Sequence, residues 1–103
     1  MAVRGLDFEH HVAVVMRKNG YRVRVTPASG DYGVDLILNK RIAVQVKFYT
    51  TPITLTAVQE VVAGRAVYNC EEAWVITNSV FTPTAKKLAE LNNVRLMDGH
   101  ELH

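Results

Sequence analysis

The stretch from Val34 to Phe48, "VDLILNKRIAVQVKF", constrains this chain more than any other part: two apolar runs are separated by the short polar break "NKR". Apolar runs of this length, rich in Val, Ile and Leu and so closely joined, read as a β-hairpin over roughly 34–38 and 42–48. Asp35, Gln45 and Lys47 interrupt the runs, and the register decides where these polar groups go. A two-residue turn at Asn39 and Lys40 sets Asp35 opposite Val44 and Val34 opposite Gln45, which splits the polar groups between both faces. A three-residue loop, Asn39 to Arg41, sets Asp35 opposite Gln45, with Lys47 two positions further on the same side. The opposite face then carries Val34, Leu36, Leu38, Ile42, Val44, Val46 and Phe48. Segregation favours this second register, because a one-residue slip drives a carboxylate and an ammonium into the core at a cost of several kcal/mol.

The trio then has two readings. Asp35 and Lys47 form a cross-strand ion pair worth ~0.2–1 kcal/mol, with Gln45 filling the space between. Alternatively, Asp35 and the Gln45 carbonyl oxygen bind a hard divalent cation, while Lys47 positions or activates a water and offsets phosphate charge.

The rest of the chain alternates helical and extended patterns. In "LDFEHHVAVVMRKNG" the apolar residues Phe8, Val12, Val15 and Met16 mark one helical face, with Asp7 as N-cap and Gly20 as the stop. "YRVRVT" alternates Tyr21, Val23 and Val25 with Arg22, Arg24 and Thr26, the pattern of a half-buried strand with two arginines outward. "PASGDYG" is a loop by its turn formers. Thr56 and Gln59 match a capping box for a helix over about 55–69 whose Val58, Val61, Val62 and Ala66 face the sheet. Gly64 within that helix costs ~1 kcal/mol relative to Ala, which points to close packing there. "AWVITNS" is a buried strand; Thr82 and Pro83 start a further helix over "TAKKLAELNN"; and "VRLMD" is the last strand. The order is α-β-β-β-α-β-α-β. The terminal "GHELH" reads as a short disordered tail or a truncation point.

With 103 residues and 49% of them hydrophobic, the expectation is one domain, 1–103, with a modest core. No apolar run approaches the ~20 residues that a bilayer requires, and Arg4, Asp7, Glu9, His10 and His11 break up the amino end. No membrane and a cytoplasmic location are therefore expected. The single cysteine, Cys70, excludes an internal disulfide framework or a cysteine-based zinc site and fits a small packed thiol in a reducing compartment. His10 and His11 point about 100° apart on a helix, a poor metal pair. A net charge of +2 hints at a polyanionic partner without specifying one. No P-loop, nucleophile elbow or Cys-His pairing appears.

Six ordered segments carry a resemblance: "GLDFE", "SGDYGVDLI", "IAVQVKFY", "AVQEVVAG", "VITNSVFTPTAKKLAE" and "VRLMDGHEL", together spanning residues 5 to 102. They resemble the Mrr-like restriction endonuclease catalytic domain, in which Asp35 and "QVK" form the D-QxK variant of the restriction-endonuclease-like signature. The resemblance implies an α/β fold with a mixed central sheet flanked by helices, and Mg²⁺-dependent hydrolysis of DNA phosphodiester bonds, with Mn²⁺ as a substitute. It implies Asp35 and Gln45 as metal ligands, Lys47 as the catalytic lysine, and Glu9 on the first helix as the residue completing the site. Gln59 answers to a glutamine that often reaches the site from the family's second helix, although a capping role explains it equally. Ser29 and Asp31, in the loop entering the active strand, and Arg22 and Arg24 are the candidate substrate contacts; Tyr32 and Tyr49 are packing residues or stacking partners. One such site cuts one strand, so double-strand cleavage calls for a homodimer or repeated nicking. Two alternatives keep the fold: a non-catalytic DNA-binding module using Lys47, Arg22, Arg24, Lys86 and Lys87, and a Holliday-junction-resolving nuclease.

Overall fold

The computed structural model describes residues 5–27 and 32–102. Its elements are α1 (Gly5–Lys18), β1 (Val23–Val25), β2 (Leu36–Leu38), β3 (Ile42–Lys47), α2 (Leu55–Val67), β4 (Glu72–Thr77), α3 (Pro83–Leu91) and β5 (Val94–Met97), in the expected order. The strands form one five-stranded sheet in the order β1-β2-β3-β4-β5. The first three pair antiparallel, and β3, β4 and β5 run parallel, joined through α2 and α3.

The hairpin adopts the three-residue register, with Leu36 facing Val44, Ile37 facing Ala43 and Leu38 facing Ile42. Asn39 and Lys40 both take left-handed backbone, φ 53° and 59°, and the Arg41 N–H donates to the Leu38 carbonyl at 3.0 Å. Asn39 suits that conformation because its short polar side chain can bond locally, and its Oδ1 accepts from the Arg22 N–H at 2.9 Å. Leu36, Leu38, Val44 and Ile76 are fully buried against Phe8, Val12 and Met16 of α1, which covers one face of the sheet. At ~1.5–3 kcal/mol per large apolar side chain, this cluster outweighs any cross-strand polar pair in setting the register. On the other face Val58, Val61 and Ala57 of α2, with Ala85 and Ala89 of α3, cover Ala73 and Val75. Strands β3 and β4 are thus covered on both sides, which is why their sequences are almost continuously apolar.

Local signals hold at several ends and fail at others. Gly20, at φ 92°, ends α1 while the Tyr21 N–H returns to the Met16 carbonyl at 3.1 Å. Thr82 caps α3, accepting from the Ala85 N–H at 3.1 Å, with Pro83 in the first turn. Helix α1 begins at Gly5, so Asp7 lies within its first turn instead of capping it. Helix α2 begins at Leu55 with Thr54 as N-cap, so Thr56 and Gln59 are inside the helix and form no capping box. Ala66 is exposed, and Gly64 takes the place expected for it on the sheet-facing side. Val25 is 53% exposed because β1 is a three-residue edge strand with α1 covering only its start. Val34 packs with Ile37 and Ala43 on the α2 side, not with Leu36, since regular strand geometry starts only at Leu36. Leu102 is buried in the α1 cluster, so the tail through that residue is part of the core. No described helix is long and apolar enough to cross a membrane.

Candidate active site

Asp35 precedes β2 and Lys47 ends β3; because the two strands are antiparallel, both lie at the same end of the hairpin, opposite its loop. The Asp35 N–H donates to the Val44 carbonyl at 2.8 Å, and its Oδ2 accepts from the Val46 N–H at 2.7 Å. The carboxylate therefore sits on the backbone that flanks Gln45. Thr26, itself buried, fixes the approach: its hydroxyl donates to the carbonyls of Val34 and Asp35 at 2.7 and 3.0 Å. Two glycines seat the same segment on α2. Gly33, at φ 67°, rests on Glu60, where an added Cβ would come within 2.7 Å of the Glu60 Cβ; a Cβ on Gly64 would collide with the Tyr32 carbonyl and Val34.

This packing brings in a residue the sequence reading passed over. Glu60 Oε1 accepts from Gln45 Nε2 at 3.3 Å and lies 3.4 Å from Lys47 Nζ. Gln59, its neighbour, is exposed. At 100° per residue, Gln59 stands about 160° around the helix from Val61, whose side faces the sheet, whereas Glu60 borders the stripe between Ala57 and Gly64. Helical spacing around that stripe was the available signal for Glu60.

Gln45 is 3% exposed, and its Oε1 is buried with no hydrogen-bond partner. Lys47 is half-buried, its ammonium 5.7 Å from the centre of the Tyr49 ring. The carboxylates feel one another. Burial raises the Asp35 carboxyl above its ordinary range and Glu60 adds to this, while the Val46 N–H and the Lys47 charge work in the opposite direction. Glu9, half-buried on α1, is raised by burial and by the charge of Asp35. In both, burial is the larger cause: the charged form has lost water that would stabilise it. Among the described residues, no three His, Cys, Asp or Glu side chains come together closely enough to hold an ion by themselves. The donor set that fits a hard cation is instead Asp35 with the partnerless Gln45 oxygen, Glu9 nearby, and water or phosphate oxygens filling a shell of six.

Two clefts are bordered by other residues of this neighbourhood, though neither by Asp35 or Gln45: one of about 290 Å³ lined by Glu9, His10, Arg17 and Val25, and a smaller one of about 60 Å³ lined by Lys47, Tyr49, Thr54 and Glu60. Arg22 and Arg24 are not part of either. They line a separate groove with Lys40 and Tyr68, towards the hairpin loop, because Arg24 pairs with Ile37 and Arg22 with Asn39. Lys86 and Lys87 are exposed on α3. Ser29 and Asp31 lie outside the described residues. Cys70 is a half-buried thiol raised by burial, its Sγ 3.7 Å from the Tyr68 carbonyl, as expected of a packed, inert cysteine.

The family model described as "Restriction endonuclease" (Mrr_cat) matches residues 1–103. Three solved structures share the fold: a protein of unknown function, AF1548 (18% identity, TM-score 0.73, 88% of this chain and 56% of that one); the MspJI restriction endonuclease in complex with a 27-mer oligonucleotide (23%, 0.62, 92% and 26%); and the DNA modification-dependent restriction endonuclease AspBHI (17%, 0.67, 92% and 29%). This chain thus spans from about a quarter to just over half of those proteins. No curated protein matches its sequence.

Proposed function

Because the chain belongs to the restriction endonuclease family, we propose that it is a magnesium-dependent endodeoxyribonuclease that hydrolyses DNA phosphodiester bonds, with manganese able to replace magnesium. The observation that carries this reading is the buried, partnerless Gln45 Oε1 on the strand whose Val46 N–H holds the Asp35 carboxylate, at the strand end where Lys47 supplies the positive charge. Asp35 and Gln45 would hold the cation, with Glu9 supporting it from α1. When bound, a divalent cation lowers the pKa of its water and offsets phosphate charge. Lys47, steadied by Glu60, orients the attacking water and neutralises the non-bridging phosphate oxygens. A neutral glutamine in place of an acid leaves the site one negative charge poorer, so metal affinity leans on the substrate phosphate. DNA as the substrate accords with the oligonucleotide carried by MspJI, whose fold this chain shares.

Supercoiled plasmid provides the test. Mg²⁺ or Mn²⁺ should support nicking, EDTA or Asp35→Ala should abolish it, and Lys47→Ala should cut it by roughly 100- to 1,000-fold. DNA binding that survives EDTA, weakens with salt and never nicks would identify a non-catalytic binding module instead. Cleavage confined to cruciform DNA would identify a junction resolvase.

A further inference from the structure

We propose that Glu60 is a positioning residue that sets the orientation of the Gln45 amide and so presents its carbonyl oxygen to the cation; this rests on the metal-dependent reading above. A glutamine amide has a donor end and an acceptor end of nearly the same shape, and in most surroundings either can face a given neighbour. An ionised carboxylate removes that freedom because it can only accept. Glu60 Oε1 lies 3.3 Å from the amide nitrogen, which leaves the carbonyl oxygen as the end without a partner. That oxygen is buried, which costs stability unless an electropositive group meets it. The same Glu60 oxygen lies 3.4 Å from Lys47 Nζ, so one carboxylate restrains both polar residues of "QVK".

Its own placement comes from the backbone. Gly33 lies against the Glu60 Cβ and carbonyl, and Gly64, one turn later, lies against the Tyr32 carbonyl, which fixes α2 relative to the segment leading into Asp35. The carboxylate is thus held with respect to Asp35 by main-chain packing that a side-chain substitution at Glu60 leaves in place.

The test is Mn²⁺ titration calorimetry on the full chain without DNA, with wild type, Glu60→Ala and Glu60→Gln compared, and folding checked by circular dichroism. Alanine is a good helix former, so neither variant should lose α2. Loss of a group that orients a ligand typically costs roughly 10–100-fold in metal affinity, so Glu60→Ala should fall by that much, and Glu60→Gln, whose amide donates as well as accepts and so restores the freedom, should fall too. The Gln45 side-chain amide resonances of the metal-free protein should move in both variants. Wild-type affinity in Glu60→Ala would overturn the inference alone, as would lost affinity with the Gln45 amide resonances unmoved, which would make the Glu60 charge a direct ligand. Absence of Mn²⁺ binding by the wild type would overturn the metal reading of the site together with this inference.

Discussion

Strand β3 ends in two polar neighbourhoods built on opposite rules. Beside the hairpin loop, Arg41 reaches Glu71 at 3.1 Å and Glu72 at 3.3 Å, with all three side chains largely exposed to water. There the Arg41 charge has two opposite partners. At the other end Asp35, Gln45 and Lys47 are half-buried or buried, the charges of Asp35 and Glu60 share one ammonium while Glu9 feels Asp35, and one amide oxygen is left alone. The first arrangement costs little and contributes little, as exposed ion pairs do. The second costs stability and persists because glycines let α2 press the charges together, the kind of environment that perturbs titrating groups at sites handling charge.

Substitutions at the two ends should therefore differ in kind. Lys47→Ala should reduce plasmid nicking by roughly 100- to 1,000-fold, the usual loss when a group stabilising the transition state is removed, with the thermal transition retained. Gly64→Ala should destabilise the domain: filling a packed contact costs about 1–3 kcal/mol, here against main chain, and the ~1 kcal/mol of helix propensity gained does not cover it. Urea unfolding measures the balance, and a stabilised variant would mean α2 is not clamped as described. Asp35→Asn should raise stability near neutral pH. Burial lifts the Asp35 carboxyl above its ordinary 3.8, so the folded chain holds that proton more tightly than the unfolded one, and the penalty operates above the folded pKa. The difference in melting temperature between variant and wild type should shrink as pH falls towards 3.8 and vanish below it. A gap that widens on acidification would contradict the sign. Arg41→Ala should have the smallest effect, about 0.2–1 kcal/mol and reduced further by salt.

The same contrast explains what could be read from the sequence. The hairpin register was legible because only one alignment keeps Asp35 and Lys47 out of a face made of Leu, Ile and Val, and burial energies dominate that choice. Caps with complete local chemistry, such as Thr82-Pro83 and Gly20, were legible for the same reason: their partners lie within a turn. Glu60 was legible only in part: helical spacing sets it beside the buried stripe, but its contacts with Gln45 and Lys47 depend on the docking of α2 on Gly33, and the Thr56 and Gln59 spacing suggested a cap that the start of α2 at Leu55 displaces. Val25 and Val34 failed at strand ends, where alternation continues in the sequence beyond the point at which the sheet stops burying it. Arg24 in β1 and Arg22 just before it are exposed, as their alternation suggests, but the pairing with Ile37 and Asn39 carries them away from Asp35.

Anomalous diffraction from crystals grown with Mn²⁺ tests the pocket itself. A manganese peak within bonding distance of Asp35 and the Gln45 carbonyl oxygen, with the amide nitrogen still turned to Glu60, is the expected result. A peak elsewhere on the protein, or a Gln45 oxygen that has found a protein hydrogen-bond partner in place of the ion, would contradict it.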